Sequence, residues 1–212
     1  MTRTVVAMPS SWCTDPDVLV RERAAVFAPH WHYVGSAVPV AEPGTFMAAD
    51  LGGLPIVITR DEDGVLRALA NVCRHRGLHR APGVEIDGDA VRLPELAVAT
   101  VGQLVFACAD PHVEPLDELL APFLALVRDV SQMDVARLER RRSIVHVLDA
   151  NWKVVAENFM ECYHCPLVHA DTLPGYGSDD DYVITTYDGL VTHRLDRDRF
   201  SWANLFPNTQ LS

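Results

Sequence analysis

The residues best placed to do chemistry lie between Asn151 and His169, in the string NWKVVAENFMECYHCPLVH. His164 and His169 stand five residues apart, and Glu157 and Glu161 precede them among helix-forming apolar residues. The spacing predicts a helix that carries Glu157, Glu161 and His164 on one face, at i, i+4 and i+7. A further five-residue step would rotate His169 off that face. Pro166 is expected to break the helix at Cys165 and swing His169 back towards His164. Two neutral imidazoles from one short segment, joined by a carboxylate from elsewhere, make a ferrous site with positions left open for other ligands. The alternative is a pair of ordinary polar residues near a helix end. A second metal chemistry is also open, because Cys162, His164, Cys165 and His169 form a compact cluster of the kind that holds zinc. Against it, His164 points away from the Cys162 and Cys165 pair on a helix.

The elements that must position this stretch can be read in chain order. Asp17 to Phe27, opened by Pro16, intersperses apolar residues with charges and predicts an amphipathic helix. From about Tyr33 to Val72, short apolar runs alternate with the turn signals Pro43-Gly44, Gly52-Gly53 and Asp61 to Gly64. That pattern predicts a small antiparallel β-sandwich or barrel. Cys108 falls in the alternating run VGQLVFACAD and reads as a core thiol. His30, His32, His79 and His146 read as surface or satisfied core histidines. Glu114 to Val130 has helical spacing interrupted by Pro122, so one helix or two short ones are expected, packing across the β-domain. Ser143 to Leu148 reads as a strand that leads into the metal helix. The run Arg140 to Arg142 before it reads as a solvated edge, with docking through arginine–carboxylate pairs as the alternative. Beyond His169, ADTLPGYGSDDD has loop composition, and YVITTYDGLVTHRL reads as a hairpin turning at Asp188-Gly189.

Composition sets bounds on partners. The chain has 212 residues, 49% of them hydrophobic, enough for a proper core in one large domain or two small ones. A net charge of −11 argues against nucleic-acid backbones and anionic membrane surfaces, which call for clustered Lys and Arg. Proteins and small molecules are the expected partners. With no membrane-length apolar run, no leader-like start and five cysteines in no disulfide framework, a reducing cytoplasmic location is expected.

The full string E-N-F-x-E-C-Y-H-C-P-x-V-H resembles the iron-binding motif of Rieske-type ring-hydroxylating oxygenases, in their catalytic alpha subunit. The likeness runs from about Asp17 to Ser212, as the amino-terminal half or so of such a subunit. It implies an α+β fold: a small antiparallel β Rieske-like domain over 17–145, then the start of a helix-plus-antiparallel-sheet catalytic domain over 146–212. It implies that His164 and His169 hold a mononuclear Fe(II) and that Glu161 is the catalytic bridging acid, with a local salt bridge as the alternative for Glu161. That acid links an iron histidine to a Rieske histidine on a neighbouring subunit. It matches Cys73 and His75, in NVCRHRGLHRAPG, to the first half of a [2Fe-2S] site in which two cysteines and two histidines hold the two irons. The second half, Cys-x-x-His, has no counterpart in the chain, and Cys108 with His112 is a poor substitute. This chain is therefore expected not to hold a normal Rieske cluster by itself. The third iron ligand is implied to lie far downstream; Asp171, Asp179, Asp180 and Asp181 are too near in sequence to match it. Implied partners are a small organic substrate, a ferredoxin or reductase, and further subunits in a trimer-like homo-oligomer or a hetero-oligomer. The implied activity is O2-dependent hydroxylation or demethylation. The alternatives are a non-catalytic remnant or accessory subunit and, ranked last, the zinc module.

Overall fold

A computed structural model describes residues 8–72, 93–131, 134–140, 142, 144–161, 164–168, 182–187 and 190–195. The chain divides into two compact units, Asp15–Val145 and Met1–Thr14 with His146–Ser212. In the second of these, α1 is the single turn Ser11–Thr14.

The first unit opens with α2, Pro16–Glu22, whose start follows from its sequence. Asp15 has extended backbone angles and its carboxylate accepts from the Asp17 amide at 2.9 Å, while Pro16 sits where no N–H is required. The helix widens into a π-turn, Arg23–Phe27, closed by the bond from Ala28 N–H to the Arg23 carbonyl. Its last carbonyls find side-chain donors. His30 Nδ1 donates to Val26 O and His32 Nε2 to Phe27 O, each at 2.8 Å, and the Cys108 thiol donates to Ala28 O at 3.4 Å. His30 and His32 are thus engaged with backbone carbonyls, in keeping with their sequence reading.

Six strands follow: β1 His32–Ser36, β2 Phe46–Leu51, β3 Leu54–Arg60, β4 Leu66–Ala70, β5 Glu95–Val101 and β6 Leu104–Cys108. All pair antiparallel, in the order β1-β6-β5-β4-β3-β2. Side chains two apart line one face, so Ile56 and Ile58, Ala68 and Ala70, and Val105 and Ala107 all point inward. Together with Val40, Leu51 and Leu96 they make one core cluster. Burying an isoleucine of this kind stabilises the fold by about 1.5–3 kcal/mol. At the edges of the sheet, a β-carbon on Gly35 of β1 would lie 3.5 Å from the Met47 side chain of β2, so the two edge strands approach each other as in a near-barrel.

The β2–β3 connection needs its glycines. Gly52 and Gly53 have φ of 60° and 95°, the left-handed pair of a two-residue hairpin turn, and Asp50 accepts from Gly53 N–H at 2.7 Å. The turn also lies against the π-turn. A β-carbon on Gly52 would sit 2.6 Å from Phe27 Cβ, and one on Gly53 would sit 2.9 Å from the Arg23 guanidinium. The β3–β4 turn is held by Asp61, which accepts from Val65 N–H at 2.7 Å and from Arg67 Nε at 2.8 Å. The Val65 amide first, then the Arg67 guanidinium, holds the Asp61 carboxyl below the usual carboxylate range.

After the sheet, α3 (Leu116–Ser131) is one continuous helix with Pro122 inside it, not two short ones. The proline forgoes one backbone hydrogen bond there. Leu116 is buried, and Trp31 of the sheet domain donates to the Glu114 carbonyl just ahead at 2.8 Å.

The strand expected over Ser143 to Leu148 is not formed over its described residues. Residues 144–148 have no regular structure, and Ile144, Val145, Val147 and Leu148 are all exposed. β-Branched composition favours a strand only where a neighbouring strand is there to pack and bond with, and no described strand pairs with this one.

In the second unit, α4 spans Trp152–Met160, α5 spans Cys165–Val168, and β7 (Tyr182–Tyr187) pairs antiparallel with β8 (Leu190–Leu195) in a hairpin. Both strands fall where the sequence predicts them; the Asp188-Gly189 turn lies outside the described residues.

Candidate metal centre

The site is built at the junction of α4 and α5. Asn151, at φ −69° and ψ 143°, caps α4 by accepting from Lys153 N–H at 3.1 Å. It was legible as a cap from its place just before an apolar-periodic run, though the sequence reading gave it no role.

The helix ends at Met160, four residues before His164, the last member of the proposed ligand face. Glu161 has φ −129° and ψ 160°, extended angles, so Glu157, Glu161 and His164 do not share one helical face, and that expectation is corrected. The position of the break is corrected too. Pro166 lies in the first turn of α5, and Cys165 is helical rather than displaced from helical angles. The reason is steric. Had α4 run on, the Pro166 ring would have met the Cys162 carbonyl four residues back. Restarting the helix at Cys165 puts the proline where its missing N–H costs nothing. The His164 carbonyl then accepts the first bonds of α5, from Leu167 N–H at 3.1 Å and Val168 N–H at 2.8 Å.

The extended step at Glu161 has a chemical result. Its Oε1 accepts from His164 Nδ1 at 2.5 Å, a short contact between a half-buried imidazole and a carboxylate on the rim, their side chains 21% and 37% exposed. With the proton on Nδ1, Nε2 is the nitrogen that carries the lone pair. A carboxylate behind one ring nitrogen orients the ring and makes the other a better donor, the arrangement seen behind most metal-ligating histidines. His164 therefore fits a metal. Glu161 meets its sequence-predicted neighbour, but through a three-residue turn rather than down a helix face.

The other predicted site residues, Cys73, His75 and His169, and the loop acids Asp171, Asp179, Asp180 and Asp181, lie outside the described residues. Among the described residues no three His, Cys, Asp or Glu side chains converge as a metal site. Cys108 is fully buried in β6, and burial pushes its thiol pKa up, the opposite of what a cluster thiolate needs. It is a core thiol, and His112, exposed in the following turn, does not make it a ligand pair. No described helix is long and apolar enough to cross a membrane.

The sequence matches two family models. A Rieske [2Fe-2S] domain is matched over residues 30–92, and the catalytic domain of the ring-hydroxylating alpha subunit over residues 135–205. The chain belongs to the Rieske-type ring-hydroxylating oxygenase alpha subunits, a family that uses a Rieske cluster and a mononuclear iron. Within it, the chain is 27% identical to the glycine betaine monooxygenase oxygenase subunit of Chromohalobacter salexigens, over 89% of this chain and 49% of that one. It is 29% identical to the carnitine monooxygenase oxygenase subunit of Acinetobacter baumannii, over 86% of this chain and 61% of that one. A crystal structure of the quaternary ammonium Rieske monooxygenase CntA with its substrate L-carnitine superposes with a TM-score of 0.70 at 25% identity, covering 89% of this chain and 66% of that one. The chain thus spans about half to three-fifths of the length of the curated relatives it matches.

Proposed function

We propose that this chain contributes to a terminal oxygenase in which His164 and His169 hold Fe(II), with Glu161 as the carboxylate behind His164. The observation that carries the reading is the Glu161–His164 bond, which sits inside the segment matched to the catalytic domain. The bound iron would supply O2-dependent hydroxylation or demethylation of an organic substrate, with electrons from a reductase. On this reading Glu161 keeps the His164 proton on Nδ1 and the ring in one orientation, so that Nε2 is the nitrogen presented to the metal. Cys73 and His75 would supply one half of a [2Fe-2S] site, whose other half needs ligands from elsewhere. The two domains would cover 17–145 and 146–212, assembled with further subunits in a ring-like or mixed oligomer.

For substrate we favour a quaternary ammonium compound, on the strength of the glycine betaine and carnitine monooxygenase relatives. Anaerobic reconstitution with Fe(II), followed by metal analysis of wild type and His164→Ala, tests the iron site. Retention of iron by wild type and its loss in the variant supports the reading; equal iron in both refutes it. Titration with L-carnitine, glycine betaine and benzoate tests the class, and preference for benzoate would refute the quaternary ammonium assignment. A second reading, an accessory subunit without a complete metal centre, is favoured by one feature, the lone Cys-x-His at Cys73 and His75. It would show as a folded chain that takes up neither iron nor cluster.

A further inference from the structure

The six strands fall into two halves. Within β1-β6-β5 the neighbours share four and five registered residue pairs, and within β4-β3-β2 five and six. Between the halves, β4 and β5 share two, Ala68 with Leu96 and Leu69 with Glu95. β1 and β2 end the strand order and are not hydrogen-bonded to each other. Among the described strands, the one ladder that ties half to half is therefore the β4–β5 seam. Core side chains of both halves meet there, Ala68 and Ala70 from one, Leu96, Val105 and Ala107 from the other.

The ladder stops after Ala68 and Leu96. Carried on, its register would set Arg67 opposite Ala97, but the strands are unpaired there. A side chain takes over at that point. Arg67 Nη1 donates diagonally to Glu95 of β5 at 2.9 Å, while its Nε donates to Asp61 at 2.8 Å. Asp61 is itself fixed: its other carboxylate oxygen accepts from Val65 N–H at 2.7 Å, and its own N–H donates to the Val65 carbonyl at 2.9 Å. The guanidinium is thus oriented before it meets Glu95, and a planar fork set in advance loses little freedom in making its second bond. At the opposite end of the seam the chain leaves β4 and returns to β5. Ala70 N–H donates to Pro94 O at 2.9 Å and Asn71 N–H to Pro55 O at 2.8 Å. Cys73 and His75 lie in the sequence between those two ends.

We propose that the β4–β5 seam is the hinge of the sheet domain and that Arg67, preset by Asp61, is its latch. With the latch made, the two halves are held together, and with them the ends at Asn71 and Pro94. With it broken, the seam opens locally while the ladders inside each half stay closed. The latch belongs to the sheet and needs no metal at Cys73 or His164. Salt weakens it, because the Arg67 and Glu95 side chains are 42% and 60% exposed.

Native-state amide hydrogen exchange of the full chain at low urea is the test. Ala70 and Leu96 report the seam; Ile56 and Ile58 in β3 and Phe106 in β6 report the halves. In the wild type the seam amides should exchange at least about tenfold faster than the other three, with a weaker urea dependence, because a local opening exposes less surface than global unfolding. Arg67→Met and Glu95→Gln should each raise seam exchange about two- to fivefold, the range an exposed ion pair supports. The double variant should do no more than Arg67→Met alone. Added salt should raise seam exchange in the wild type and not in Arg67→Met. One rate and one urea dependence at all five amides would overturn the hinge. Additive effects of the two substitutions, or seam exchange in the wild type indifferent to salt, would overturn the latch. Should Arg67→Met fail to fold, Glu95→Gln and the salt series on the wild type decide the matter by the same outcomes.

Discussion

Replacing Glu161 by Gln keeps a carbonyl oxygen within reach of His164 Nδ1 and removes the charge. In the native chain that oxygen lies 2.5 Å from the ring nitrogen. Removing carboxylates that back metal-ligating histidines costs about 10- to 100-fold in metal affinity. Here the carboxylate is 37% exposed, so water screens part of its charge and the lower end applies. We expect Glu161→Gln to weaken Fe(II) or Co(II) binding about tenfold, or about 1.4 kcal/mol. Glu161→Ala, which also abandons the hydrogen bond, should weaken it further. Glu157 is the control: it lies exposed on α4, off the extended step, and Glu157→Gln should leave affinity unchanged. The assay is an anaerobic competition titration against a chelator of known affinity, with Co(II) absorption as the direct readout. Equal affinity for wild type and Glu161→Gln, or equal losses for Glu157→Gln and Glu161→Gln, would refute the assignment of Glu161 as the carboxylate behind His164.

Three further outcomes follow from the sheet domain. Gly52→Ala places a β-carbon at positive φ and against Phe27, so it should destabilise the domain by at least about 1–2 kcal/mol in chemical denaturation; an unchanged midpoint would mean the turn does not pack against the π-turn. The lowered Asp61 pKa makes its contribution fully present above the unfolded carboxylate value and lost as pH falls through the lower folded one. Asp61→Asn should therefore lower stability near neutral pH and remove that part of the acid-side slope, measured by thermal melts across the acid range. Cys108 should resist a thiol reagent until the domain unfolds while Cys13, half-buried, reacts in the native state; early labelling of Cys108 would contradict its place in the core.

Much of the β-domain was legible because its signals are local. The Gly52-Gly53 pair and Asp61 to Gly64 specify turns by backbone angle alone, and Ile56 and Ile58 fix which face is buried by their two-residue period. Cys108 was readable for the same reason. What misled was placing the steric effect of Pro166 at Cys165 alone. Glu157, Glu161 and His164 suit a helix by periodicity, but Pro166 forbids a helix running through Cys162, and the chain yields at Glu161 instead. Ser143 to Leu148 misled in another way. Its β-branched residues state a preference that only a partner strand can satisfy, and a partner is a long-range fact that no local pattern contains. The site was legible as a pairing of residue types, Glu161 with His164, and not as the turn that brings them together.

The central claim is that an imidazole seated on a carboxylate at the α4–α5 junction helps grip iron. Metal analysis of the full chain, purified without oxygen and reconstituted with ferrous ion, tests it most directly. The account predicts about one mononuclear iron per chain, over any cluster iron, lost in His164→Ala and in His169→Ala. Iron at background in the wild type, or iron indifferent to both substitutions, would contradict it.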